Sequence, residues 1–274
     1  MREFFGFGGY QREPEGFLSW QHLTFVTSLM IIMVALAIFF GKKYKNEDMN
    51  SKNKVLIWAA ILIDSFELVK IVLRCIEDKS IGEIVYVLPL FLCSIQLITI
   101  PLAAFSKGRI KEASLDFVMI FGILGAVLGT YGAGQNYDAY PVLSFTNVVS
   151  GITHSISGFA SLYIAISGMA SMKKRNISIS LSILSVFCVL AYVVNKIIDY
   201  NYMFLERGDG TPYDIFYNLV NGSPVFYPLI VVGLFFAYII AFYRVYFNIT
   251  TKKKAAIHTD TEGTADPAQE LQAK

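Results

Sequence analysis

The chain has 274 residues, of which 55% are hydrophobic, 15% aromatic and only 16% charged, with a formal net charge of +2. A mean hydropathy of +0.53 excludes an ordinary soluble domain, which needs a more polar surface to remain in water. Three cysteines and three histidines exclude a disulfide framework and a multi-histidine metal cluster.

The N-terminal residues 1–21 read as an extracellular segment. No cleaved signal peptide is expected there, because the first long apolar run is followed by lysines. A bilayer span takes about 20 apolar residues, and about seven such stretches follow in order. They cover 22–41, 54–74, 83–105, 115–133, 144–170, 177–200 and 224–247. The fold class is therefore all-α, a polytopic membrane protein of about seven transmembrane helices. Residues 22–248 form one transmembrane domain, and residues 249–274 read as a disordered cytoplasmic tail, being polar and Pro/Ala/Thr-rich.

Lysine and arginine fall unevenly between these spans. One set of loops and the C-terminal flank hold Lys42, Lys43, Lys45, Lys52, Lys54, Lys107, Arg109, Lys111, Lys173, Lys174, Arg175, Arg244 and Lys252 to Lys254. The opposite set holds only Arg2, Arg12, Arg74, Lys79 and Arg207. The positive-inside rule then puts the N-terminus outside and the C-terminus in the cytoplasm. No half-chain repeat of the kind found in inverted-repeat transporters is visible.

Polar residues inside spans are costly and mark function by default. The second stretch carries Asp64, Glu67 and Lys70 at i, i+3 and i+6, a charge cluster in which Glu67 and Lys70 pair. The third reads "VLPLFLCSIQ", with Pro89, Cys93 and Gln96 expected on one helical stripe. A lone membrane cysteine is ordinarily a small inert hydrophobe; a base at equal depth changes that reading. His154 on the fifth stretch supplies one. Cys93 and His154 each lie about ten residues, roughly 15 Å, below the outer end of their spans. His154 belongs to a small and hydroxylic stripe of Asn147, Ser150, Gly151, Ser157, Gly158 and Ser161, the pattern of close helix contact. His154 also has a purely structural reading, as an interhelical hydrogen-bonding group.

Towards the outer side, Asn195 and Asp199 end the sixth stretch, Asn201 and Tyr202 follow, and His22 opens the first. Tyr213, Phe216, Tyr217 and Val220 have the spacing of a short amphipathic helix at the outer interface, a lid or an aromatic anchor. Cys93, His154, Asn195, Asn201 and His22 thus define a cavity in the outer half of the bundle.

The segments "QHL" (21–23), "LPLFLC" (88–93), "THSISG" (153–158) and "VNKIIDYNYMFL" (194–205) occur in an order that resembles the YwaF-like bacterial membrane proteins. That family is related to the transmembrane-protein-164 acyltransferases and more distantly to the androgen-induced membrane hydrolases. The resemblance spans roughly residues 20–235. It implies a bacterial cell-membrane protein with a seven-helix core, Cys93 as the reactive cysteine, His154 as its histidine, and Asn195 with the "NYMFL" segment lining or shaping the site. This chain departs from the family's "LPLHLC" at Phe91, in "ERGDGTP" after Leu205, and in "SPVFYP" at the last span.

Two functions fit. One is an intramembrane lipid acyltransferase or acyl-ester hydrolase with a Cys93–His154 pair, in which Asn195 or Asn201 stabilises the oxyanion and Tyr202, Gln96 and His22 support substrate binding. The alternative is a non-catalytic transporter, or a membrane protein that binds lipids or small molecules in the same cavity, with Asp64, Glu67 and Lys70 as an ion relay. The expected partners are membrane lipids or an acyl-chain substrate, with no nucleic acid, no metal and no cofactor; the sequence sets no oligomeric state. A retinal protein is excluded because 224–247 has no lysine. A zinc-dependent membrane hydrolase is excluded because only His22 and His154 lie in the membrane region.

Overall fold

A computed structural model describes residues 2–77 and 79–262. The last part of the expected tail, 263–274, lies outside the described residues. The described chain is all-helical: α1 (Arg2–Phe5), α2 (Trp20–Tyr44), α3 (Met49–Glu77), α4 (Gln96–Phe105), α5 (Gly108–Tyr131), α6 (Gly134–Ala139), α7 (Phe145–Ser167), α8 (Asn176–Ile198), α9 (Asp214–Leu219) and α10 (Phe226–Glu262). Short 3₁₀ turns occupy Ile81–Tyr86 and Tyr202–Phe204.

Among the described residues, five helices are long and apolar enough to cross a bilayer: α2, α5 with its extension into α6, α7, α8 and α10. The molecule is an integral membrane protein. Its outward faces carry the side chains that lipid requires, such as Ile31, Ile32 and Phe39 on α2 and Val186, Val189 and Val193 on α8. α3 is as long as the others, but Asp64, Glu67, Lys70 and Arg74 interrupt its apolar character.

Two expectations change. The third stretch is not one helix: only Gln96–Phe105 is α-helical, and 87–95 is irregular. Pro89 has no N–H to give and disfavours the helical conformation at Leu88. The span expected to end near 248 also continues as α10 through Glu262, so the helix does not stop where the polar tail begins.

α5 is the central post. Ala113 to Gly122 are buried without a break, and the helix packs mainly on α7, α4 and α8. The N-cap of α7 is Ser144, whose hydroxyl accepts from the Asn147 N–H at 3.3 Å. Asn147 in turn donates to the carbonyls of Tyr140 and Pro141, both at 3.1 Å, fixing the turn that precedes α7.

The lysine-rich ends meet at one end of the bundle. Glu112 at the start of α5 pairs with Lys173 at 2.7 Å and Arg175 at 2.9 Å, and Lys111 donates to Asn53 Oδ1 at 2.6 Å. The opposite end is strapped by the N-terminal segment. Phe17 N–H donates to Asp138 at 2.8 Å, and Val142 N–H donates to Glu15 at 2.7 Å.

Candidate active site

The irregular segment 87–95 makes its own local cap. Phe91 N–H donates to Ser94 Oγ at 3.0 Å, and Ile95 N–H and Gln96 N–H then start α4 by donating to the carbonyls of Phe91 and Cys93. Cys93 therefore sits on the turn that heads α4 rather than on a helical stripe. The backbone N–H groups of Cys93 and Ser94 lie beside the Cys93 side chain. Free N–H groups at a helix start favour negative charge beside them.

His154 comes to the same place from α7. Its Nδ1 lies 2.7 Å from the Ser150 carbonyl one turn back. A carbonyl only accepts, so Nδ1 carries the proton and the neutral ring presents a bare Nε2. The His154 ring and the Cys93 side chain lie close enough to interact electrostatically.

Helix α5 makes room for both. A Cβ on Gly125 would stand 3.4 Å from Cys93 Cβ, in contact. One turn on, a Cβ on Gly129 would overlap the His154 ring at Nε2 and Cδ2. The imidazole thus lies directly on the α5 backbone, a seat only glycine leaves open. The cavity in front of this pair has a volume of about 220 Å³ and is lined by Cys93, Ser94, Ser150 and His154, with Glu67, Lys70 and Arg74 from α3 on the opposing wall. Glu67 and Lys70 pair at 2.8 Å, while Asp64 faces out from α3 beside Leu62 and Leu68 and does not line the cavity.

The remaining residues singled out in the sequence lie outside this lining. His22 is fully buried, with both ring nitrogens engaged: Nδ1 accepts from Leu18 N–H and Nε2 donates to the Thr130 carbonyl, each at 3.1 Å. Its ring stacks on Tyr137 with centroids 3.9 Å apart. It is a clasp between α2 and the end of α5.

Asn195 spends its amide on Tyr202, accepting from Tyr202 N–H at 2.7 Å and donating to its carbonyl at 3.0 Å. Asn201 donates to the Arg207 carbonyl and Asp209 and accepts from Glu206 N–H, closing the outer loop on itself. Asn201 has both amide hydrogens engaged, Asn195 has one, and neither residue lines the cavity. Tyr202 is buried beneath the segment before Cys93. Gln96 accepts from Thr99 Oγ1 at 3.0 Å, and its Nε2 is buried without a partner among the described residues. α9 forms where the aromatic spacing implied, with Phe204 stacked on Tyr213 and Tyr217 packed edge-on against Tyr227.

Two features escaped sequence reasoning. The glycine seat was present in "GILGAVLG" (122–129), a small-residue spacing on a helix, but nothing in one sequence says which side chain will lie on it. Asp116 was an acid within an apolar stretch. It is fully buried, and its carboxylate accepts from Met172 N–H at 3.0 Å, Asn176 Nδ2 at 2.7 Å and Tyr243 O–H at 3.0 Å. That network ties α5 to α8 and α10, away from the cavity. Among the described residues no three His, Cys, Asp or Glu side chains group as a metal site.

Comparison with known families matches residues 17–250 to the model of the TMEM164 family. Comparison with curated proteins and with solved structures gave no match.

Proposed function

The chain belongs to the TMEM164 family, and from that premise we propose that it is an intramembrane acyl-transfer enzyme, acting on a lipid acyl ester through Cys93 and His154. The observation that supports this reading is the convergence of Cys93 and His154 on the wall of one cavity inside the bundle. The motif order assigns the chain to the YwaF-like bacterial branch, in the cell membrane. The five long apolar helices, α3 and the broken 81–105 segment together make seven passes. The meeting of the basic ends at one end of the bundle supports an outer N-terminus and a cytoplasmic C-terminus.

The chemistry follows from the groups present. His154 Nε2 takes the Cys93 thiol proton, and the thiolate attacks the ester carbonyl carbon. The carbonyl oxygen becomes an oxyanion facing the N–H groups of Cys93 and Ser94, which flank the nucleophile, whereas Asn195 and Asn201 lie outside the cavity lining. The carbon–oxygen ester bond then breaks, and His154 returns the proton to the leaving alcohol. An incoming alcohol or water gives its proton to His154 and attacks the thioester. Cys93 leaves as the thiolate and is reprotonated by His154. An alcohol acceptor makes the reaction a transfer; water makes it a hydrolysis. The rings of Phe91 and Tyr200 at the cavity wall favour transfer by limiting water.

The test is the intact mass of the purified protein after incubation with membrane lipids. Wild type gains an acyl mass that hydroxylamine removes. Cys93→Ser gains none, and His154→Ala gains it about 10²-fold or more slowly, the usual weight of a general base. Equal acylation of Cys93→Ser would remove the nucleophile. Absence of any lipid turnover, with substrate flux in liposomes, would turn the cavity over to transport.

A further inference from the structure

The segment that carries Cys93 has no helical ladder of its own between Val87 and Ile95, so another part of the chain must hold it in place. Tyr202 is fully buried against it. Its hydroxyl donates to the Val85 carbonyl at 2.6 Å and accepts from Leu88 N–H at 3.1 Å. One phenol thereby bridges backbone groups on both sides of the start of "LPLFLC". Its ring also packs against Phe91, centroids 4.9 Å apart.

Tyr202 is itself clamped from behind by Asn195, which holds the Tyr202 N–H and carbonyl together. The two residues that follow, Met203 and Phe204, take left-handed backbone with φ of 56°. Side chains rarely adopt this conformation without surroundings that impose it. Burial pushes the Tyr202 phenol up to about 12, so the O–H that reaches Val85 persists at any working pH. Tyr202 does not line the cavity.

We propose that Tyr202, locked by Asn195, is a positioning residue that sets the reach of Cys93 to His154 by holding the backbone from Val85 to Leu88. The assignment rests on the Cys93–His154 reading above. It explains why "VNKIIDYNYMFL" and "LPLFLC" matter together although the former contributes neither asparagine to the cavity. The outer loop reaches the cysteine's segment through this hydroxyl and through the rings of Tyr200, Tyr202 and Phe204 around Phe91.

The test reads the pair without a lipid substrate. The rate of alkylation of Cys93 by iodoacetamide is followed against pH in the full-length protein in nanodiscs, in a Cys75→Ser background; Cys188 is 4% exposed and does not compete. The other titratable and charged groups on the cavity wall are Glu67, Lys70 and Arg74 of α3 and Tyr200 of the outer loop, and they stay unchanged in every variant. His154→Ala slows alkylation at neutral pH and changes the shape of the profile. Tyr202→Phe, which keeps the ring and removes both hydrogen bonds, slows it by about tenfold and gives a profile with the shape of His154→Ala. Asn195→Ser loosens the same clamp and moves the profile in the same direction, so the test stands if one variant fails to fold. Acyl transfer by Tyr202→Phe falls in kcat with KM unchanged.

If Tyr202→Phe and Asn195→Ser superimpose on wild type while His154→Ala does not, the positioning role is overturned and the cysteine–histidine pair survives. If His154→Ala itself superimposes on wild type, the pair is overturned, and the role of Tyr202 goes with it.

Discussion

The imidazole of His154 lies on the backbone of Gly129, so closely that any Cβ at that position would overlap the ring. The helix α5 therefore contributes to the site by what it lacks. His154 is aimed from two sides: Ser150 holds Nδ1 at 2.7 Å, and the bare surface of Gly129 receives the other edge.

Gly129→Ala tests this seat. The added methyl displaces the ring or spreads α5 from α7, an overpacking cost of about 1–3 kcal/mol. Thermal unfolding in micelles should show a lowered midpoint, and acylation of Cys93 should fall towards that of His154→Ala. Gly129→Ala with wild-type stability and acylation would mean that the ring has room to move aside.

Asn201 was a candidate for oxyanion stabilisation, and its amide is instead used up inside the outer loop. Asn201→Ala leaves part-buried backbone groups of that loop unpaired and should cost about 1 kcal/mol. The expected signature is a lowered unfolding midpoint and faster proteolysis between Tyr202 and Asp214, with the Cys93 alkylation rate lowered far less than by Tyr202→Phe. A rate loss as deep as that of His154→Ala, at unchanged stability, would return Asn201 to the reaction.

Asp116 holds α5, α8 and α10 together through Met172, Asn176 and Tyr243. Asp116→Ala strands those donors in the core and should destabilise the bundle by at least about 2 kcal/mol. Tyr243→Phe removes one hydrogen bond to the carboxylate and should cost less than Asp116→Ala, about 1.5 kcal/mol. Equal unfolding midpoints for wild type and Asp116→Ala would show that the network is not holding the helices.

Asp48 caps the start of α3. Its carboxylate accepts from Ser51 N–H at 2.7 Å, and that bond holds the group below its ordinary value. A carboxyl depressed on folding adds stability above its unfolded pKa, about 3.9, and loses it as pH falls through the folded value. The unfolding midpoint of wild type should therefore decline on the acid side more than that of Asp48→Asn, with the two curves converging at low pH. A constant gap between them through acid would sever the cap from the titration.

Much of this molecule was legible before folding. Runs of apolar residues dictate helices because a bilayer offers backbone groups no other partner. The pairing of Glu67 with Lys70 follows from their spacing, whereas counting along a helix does not give the depth of Cys93, because 87–95 is irregular. The amphipathic spacing of Tyr213, Phe216 and Tyr217 was enough to place α9. These are local properties, set by period and rise.

What only the tertiary structure decided is how residues far apart in the chain share their hydrogen bonds. His22 and His154 look alike in sequence, yet Thr130 and Leu18 occupy both nitrogens of one, while Ser150 holds only Nδ1 of the other on the wall of a cavity that Cys93 also lines. Asn195 and Asn201 look like free amides until the outer loop closes on them. Pro89 signals a break but not its length; the irregular path to Gln96 depends on Tyr202, more than a hundred residues away, taking up the backbone groups that a helix would have paired. Each buried donor or acceptor satisfies itself with whatever folding brings beside it, and that neighbour is chosen by packing rather than by the local sequence.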